Sequence, residues 1–330
     1  MDIKRPYLLF LGDVPDALAA KTAIGIAEWR PTWCAGQMRL PGCAADAGLP
    51  DMTIEQAVAA GAKTFVIGVV NAGGVLPDHW IATVVSAIEA GLHMRLSDVP
   101  QIRAAAEARG ATLHDVRHSS ERFATGKGGR RPGRRLLTVG TDCSVGKKYT
   151  ALVIEREMQR RGFNAEFRAT GQTGVFISGR GVALDAVVAD FISGAAEWLT
   201  PENQADHWDV VEGQGSLFHP SFAGVSLGLL HGSQPDAFVV CHEPTRETMR
   251  GVGHPLPTIG EVIDLTRACG RLTNPDIRCV GIAINTAALD EEAARAVLAE
   301  AEEDYDLPAT DPVRFGVETL IDRLEKEFPV

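Results

Sequence analysis

The chain has 330 residues, 45% of them hydrophobic and 23% charged, with a formal charge of −11. That length exceeds one comfortable core and implies two domains, while the acidic balance argues against a nucleic-acid partner. No apolar run approaches about 18 residues, and the start MDIKRPYLLFLG is a charged segment leading into a short strand, so neither a membrane span nor a signal peptide is expected.

Six cysteines (Cys34, Cys43, Cys143, Cys241, Cys269, Cys279) show neither CxxC nor zinc spacing, which fits reduced thiols in a cytoplasmic protein. In chain order, YLLFL (7–11) reads as a buried strand, followed by Gly12-Asp13 and a helix from about Asp16 to Arg30. A helix over 53–60 stops at Gly61 and leads to a strand over 64–70 and the turn Asn71-Ala72-Gly73-Gly74. A helix over 77–90 and a strand over 93–96 follow. Strand–helix–strand with short connections implies a mostly parallel sheet, whose ligands sit beyond the carboxyl ends of the strands. Asn71, Gly73 and Gly74 are therefore candidate substrate contacts. Residues 117–135 carry seven Lys or Arg against one Glu, with four glycines and a proline, and read as a linker or exposed loop. The domain division expected is 1–125 and 126–330.

The second domain opens with the most informative segment, LLTVGTDCSVGKKYT (136–150). A short apolar strand runs into a glycine-punctuated turn ending in Gly146-Lys147, and helical apolar spacing follows as far as Gly162. This is the layout of a phosphate-binding P-loop, in which backbone N–H groups, the helix dipole and a lysine cradle an anion. Gly140, Thr141, Asp142, Cys143, Ser144, Val145, Gly146, Lys147 and Lys148 are the candidate cofactor-binding residues. Lys148 stands where the usual pattern has a Mg²⁺-binding hydroxyl, and Thr150 lies on another helix face, so no bound metal is expected. Cys143, near a helix N-terminus and Lys147, is expected to have a lowered thiol pKa.

Further strands are expected at 165–169, 208–211, 237–241 and 279–284, with helices at 184–198, 259–268 and 313–327. Their ends carry chemistry. DVVEGQGS (209–216) delivers Glu212 where a Walker-B acid faces the phosphates, as a candidate general base. RATGQTG (168–174) offers Arg168, whose planar fork suits a carboxylate or phosphate, together with Gln172 and Thr173. His219, His242 and His254 lie in loops, with His219 a second candidate base. Asp185 and Asp190 fall five residues apart, not on one helix face.

GTDxxxGK resembles the loop of dethiobiotin synthetase and its relatives, which include ATP-dependent ligases and cobyrinate amidases. GTDCSVGKKYTAL, RATGQTG, DAVVADFISGAAEWL, VEGQGSLFHPS and PDAFVVCHEPTR, in this order, resemble the DgcN-type D-glutamate N-acetyltransferases, a P-loop family formerly of unknown function. The resemblance covers essentially the whole chain. It implies an α/β protein with an N-terminal Rossmann-like parallel-sheet domain and a P-loop NTPase-like parallel α/β domain. It further implies transfer of an acetyl group from acetyl-CoA, as co-substrate, to the amine of D-glutamate, with the loop holding the phosphates of CoA. The expected partners are small-molecule substrates and further copies of the chain in a homo-oligomer, with neither nucleic acid nor membrane. An ATP-dependent ligase or kinase is the alternative, and a nucleotide- or CoA-binding regulatory protein a third reading.

Overall fold

The computed structural model describes residues 3–17, 19–69, 76–92, 99–113, 116 and 121–329. The candidates Asn71, Gly73 and Gly74, and the strand expected at 93–96, lie outside the described residues. The chain divides into two compact units, Met1–Ser119 with Val175–Arg180, and Ser120–Gly174 with Gly181–Val330. No helix among the described residues is long and apolar enough to cross a membrane.

The first unit is built on a parallel sheet ordered β2 (Cys34–Arg39), β1 (Tyr7–Gly12), β3 (Thr64–Ile67). Every residue of Tyr7–Leu11 is fully buried, as a central parallel strand covered on both faces requires. Phe10 stacks on Phe65 with centroids 5.1 Å apart and meets Trp80 edge-on at 5.2 Å. The Gly12-Asp13 turn has a structural occupant. Asp13 accepts a hydrogen bond from Trp80 Nε1 at 2.8 Å, and its other oxygen lies 2.9 Å from His79 Nε2. The helix expected from Asp16 begins later, as α1 (Lys21–Trp29), because the Asp16 carboxylate accepts from Ala19 N and closes a turn instead. Helices α2 (Ile54–Ala59), started by the Thr53–Gln56 capping box, α3 (Ile81–Glu89) and α4 (Pro100–Arg109) also belong to this unit.

The second unit carries a six-stranded, wholly parallel sheet. Its order is β5 (Ala165–Arg168), β6 (Trp208–Val211), β4 (Arg134–Gly140), β7 (Ala237–His242), β8 (Arg278–Ile284), β9 (Ala309–Thr310). Helix α5 (Lys147–Arg160) follows the phosphate loop and ends before Gly162, whose φ of +86° turns the chain. Alternation along β4 fixes the two faces. Thr138 faces α5, donating to Lys147 O at 3.1 Å, while Leu137 joins Val240, Ile282, Leu229 and Ile263 in the core beneath α8 (Ala223–Ser233) and α9 (Ile259–Gly270). Helix α11 (Glu318–Glu327) packs beside α5.

Several expectations need correction. The helix expected over 184–198 is only α7 (Ile192–Leu199), preceded by two 3-10 turns, Leu184–Ala186 and Ala189–Phe191. The β-branched pair Val187-Val188, which lowers helix propensity, separates those turns, and Asp185 and Asp190 are exposed on them. The polar run after Arg168 is not all loop, because α6 (Gln172–Ser178) starts within it. The last helix begins at Glu318 rather than 313, since Asp311 accepts from Val313 N and Arg314 N and holds a turn. The basic strip is no solvated connector over its second half. Arg131 donates to the Thr200 and Gly232 carbonyls, and Arg135, 3% exposed, to those of Arg131, Pro132, Gly133 and Pro201. These two arginines sit at the amino end of β4, a strand length of roughly 20 Å from the loop at its other end, so they cannot touch a ligand there.

Candidate active site

The carboxyl end of β4 turns at Gly140 into the loop that ends at Gly146, the N-cap of α5. Ser144 has φ +56°, a left-handed conformation uncommon for a residue with a side chain, and Gly146 has φ +107°. No side chain caps the start of α5, the kind of helix N-terminus whose amides and dipole favour an anion. Lys147 is 6% exposed and its Nζ donates to Asp142 O at 2.6 Å, folding back across the loop. Burial lowers its pKa, and only partly opposing that are the sulfurs of Cys241 and Cys143 and the Asp142 carboxylate.

Glu212 follows β6 directly and is 5% exposed. Its Oε2 accepts from Thr170 N at 3.0 Å and Gly171 N at 3.2 Å, the amides that precede α6. Its Oε1 takes no hydrogen bond among the described residues. Burial pushes the carboxyl pKa up, against the pull of Lys148, the two amides and Lys147. Gly213 is required by close approach, since a Cβ there would lie 1.7 Å from Thr138 O and 2.9 Å from Lys147 Cδ. The Gly213 amide donates to Thr138 Oγ1 at 2.9 Å, so β4, α5 and the Glu212 loop are tied at one point. Gln172 and Thr173 open α6 immediately after Gly171 and so lie beside Glu212.

The loop is held from the other side by the segment after β7, a feature missed in the sequence. Arg246 Nη1 donates to Asp142 Oδ2 and to Cys143 O, both at 2.7 Å. Arg250 N donates to the same Asp142 oxygen at 2.7 Å, and its guanidinium to Ser144 Oγ at 3.2 Å. Burial alone would raise the Asp142 carboxyl, but the Arg250 and Cys143 amides and Arg246 outweigh it and lower its pKa. Two arginines shortly after a strand end in a parallel sheet were the available signal. Lys147, Lys148, Arg246 and Arg250 thus gather around the loop against Asp142, Glu212 and Glu243.

Three candidates take other roles. His219 is 1% exposed with both ring nitrogens engaged. Ser221 N donates to its Nδ1 at 3.2 Å, which leaves the proton on Nε2, 3.0 Å from Arg250 O. It braces the loop and is no free base. Asp142, Cys143 and His219 bring one donor atom each within 4.8 Å of one another, but these bonds already commit the histidine and one Asp142 oxygen. Arg168 turns back along the sheet, its Nε on Asp209 Oδ1 at 2.6 Å and its Nη2 on Glu166 at 3.0 Å, so its fork is spent on carboxylates of the protein. The Cys143 thiol pKa is raised, not lowered, because burial outweighs the nearby Lys147. Of the other histidines, His242 lies with Nδ1 3.1 Å from Thr141 Oγ1, and burial lowers its pKa, while His254 is exposed.

Residues 122–321 match a P-loop domain of unknown function, DUF1611, and residues 38–119 match its Rossmann-like N-terminal partner domain. The chain is 54% identical over 329 residues to a D-glutamate N-acetyltransferase of Tritonibacter scottomollicae, covering 98% of this chain and 99% of that protein. It is 48% identical over 331 residues to a D-glutamate N-acetyltransferase of a Pseudoalteromonas species, covering 98% of this chain and 100% of that one. A crystal structure of a DUF1611 family protein from Anabaena variabilis superposes with a TM-score of 0.87 at 31% identity, over 98% of this chain and 100% of the other. With a Rossmann-like domain, a P-loop domain and full-length relatives of this kind, the chain belongs to the DUF1611 family.

Proposed function

We propose that the protein transfers an acetyl group from acetyl-CoA to the amine of D-glutamate. The observation that carries this reading is Glu212, a buried carboxylate with one oxygen unengaged, standing beside a cation-ringed anion loop. The names of the two full-length relatives support it. The ammonium of D-glutamate gives one proton to Glu212 Oε1, and the freed amine nitrogen attacks the thioester carbonyl carbon. A C–N bond forms as the carbonyl electron pair moves onto oxygen. Collapse of that oxyanion breaks the C–S bond, and the departing thiolate takes the second amine proton. Ser216 is a donor for the oxyanion, because its Oγ accepts from Phe218 N at 3.3 Å and retains its own proton. It lines a small crevice between the end of β4, the 213–217 loop, α8 and α9.

The reaction should proceed in EDTA, because Lys148 replaces the Mg²⁺-binding hydroxyl and its ammonium repels a cation. The assay follows free thiol released from acetyl-CoA in the presence of D-glutamate, beside phosphate release from ATP with Mg²⁺. Mg²⁺-dependent ATP turnover with no thiol released would replace this reading by the ligase or kinase alternative. Cys143→Ala should retain most of the thiol-releasing activity, since a thiol with a raised pKa is a poor nucleophile. A covalent acetyl adduct on Cys143, detected by mass spectrometry, would instead establish a two-step route.

A further inference from the structure

The loop after β4 need not serve the anion that its sequence suggests. We infer that the Gly140–Lys147 cradle takes a carboxylate of the acceptor amino acid rather than the phosphates of the acyl donor. The inference rests on the acetyl-transfer reading and assigns one of its substrates to a place.

Reach favours the acceptor's anion. A general base acts within about 2.6–3.2 Å of the proton it removes, so the acceptor amine must meet Glu212 Oε1. Glu212 and the cradle are neighbours. Gly213, the next residue, approaches the Lys147 side chain so closely that a Cβ would lie 2.9 Å from its Cδ, and Lys147 and Lys148 both act electrostatically on the Glu212 carboxylate. Both carboxylates of glutamate lie only a few bonds from its amine. With the amine on Glu212, one of them falls among Lys147, Lys148 and the first-turn amides of α5.

The donor's diphosphate fits that place badly. The pantetheine arm between diphosphate and sulfur is about as long as four residues, and extended chain spans at most about 3.3–3.6 Å per residue, so an extended arm would carry the thioester on the order of 13 Å beyond the cradle. Only an arm folded back on itself would return it to an amine held on Glu212. With a carboxylate in the cradle, the approach left to the thioester carbonyl is the side of the Gly213–Ser216 loop, which directly follows Glu212 and lines a small crevice with Thr266.

Charge agrees with reach. Nucleotide phosphates in such a loop carry several charges and rely on Mg²⁺, for which Lys148 leaves no hydroxyl. A carboxylate carries one charge and needs only the lysine and the amides. Lys147 currently donates to a neutral backbone carbonyl, Asp142 O, a partner it can exchange for an anion. The arginine expected to bind the acceptor, Arg168, is held by Asp209 and Glu166. The cradle supplies what it does not.

Inorganic phosphate is the probe that needs no mutation. In steady-state thiol-release kinetics it should inhibit competitively against D-glutamate and not against acetyl-CoA. Competition with acetyl-CoA, or no inhibition against either substrate, would overturn the assignment. In a second arm, Lys147→Met should raise the KM for D-glutamate at least about tenfold and leave that for acetyl-CoA near the parent value, as loss of a charge-assisted hydrogen bond implies. A rise confined to acetyl-CoA, or equal for both, counts against it. If Lys147→Met does not fold, judged by its thermal transition, Lys148→Met tests the same prediction from the half-buried position beside it. A parent enzyme that releases no thiol with D-glutamate sinks the acetyl-transfer reading itself, whereas turnover with phosphate competing against acetyl-CoA sinks only the placement of the acceptor.

Discussion

Glu212→Gln is expected to lower turnover at least ~100-fold while the protein stays folded. Glutamine keeps the shape and an oxygen to accept from Thr170 N and Gly171 N, so the loop geometry survives. It cannot accept the ammonium proton. The same residue carries a pH signature. A carboxyl group whose folded pKa is raised binds its proton more tightly folded than unfolded, so it contributes stability below its ordinary pKa. That contribution is lost as pH rises from the unfolded value through the raised one. Turnover should move the other way, rising as Glu212 loses its proton and becomes a base. Melting temperature and kcat/KM measured against pH, for parent and variant, read both effects. A variant with most of its activity, or one whose melting temperature keeps the parent's full pH dependence, would leave Glu212 as a structural carboxylate.

Asp209→Ala should cost about 3–5 kcal/mol of folding stability, the size of effect seen when one partner of a buried ionic network is removed. Asp209 is 1% exposed and receives Arg168 Nε at 2.6 Å and His207 Nε2 at 3.0 Å, with Arg135 Nε at 3.9 Å. Alanine leaves Arg168 and Arg135 buried with less to answer their charge. Because Asp209 lies toward the amino ends of the strands, away from the phosphate loop, folded protein should keep its affinity for both substrates. Urea unfolding with an unchanged slope gives the number. A loss below about 1 kcal/mol would show that the carbonyls around Arg135, and Glu166 beside Arg168, suffice without Asp209.

The parallel strands around the loop were legible because buried parallel strands are short continuous apolar runs, as in LLTV and WDVV, and each ends in glycine or polar residues. The elements missed are of other kinds. β2, with the half-buried sequence CAGQMR, carries almost no apolar pattern, since an edge strand need bury only its middle. Helix α10 (Glu291–Tyr305) is largely exposed and highly charged, and its signal was the Asp290 N-cap and the acidic first turn rather than an apolar stripe. At the site, the positions of Lys147 and Glu212 followed from local spacing. The roles of Arg168, His219 and Arg246 did not, because each is decided by partners far away in the chain: Asp209, Arg250 and Asp142. Residue type predicted what those side chains can bind, and tertiary structure decided what they do bind.

The assignment of Val175–Arg180 to the first unit has a consequence for how the protein can be cut or rearranged. Phe176 meets Tyr7 edge-on with centroids 6.4 Å apart, and Arg30 Nε donates to Ile177 O at 3.0 Å, so this short stretch furnishes part of the core around β1. Yet it is encoded well inside the P-loop domain, in the helix that starts four residues after Arg168 and a single residue beyond an amide bound to Glu212. Neither unit is therefore a contiguous gene segment. A fragment ending near residue 120 would expose Tyr7 and should express as an unstable, aggregation-prone chain, and the two units must be inherited, truncated and recombined together.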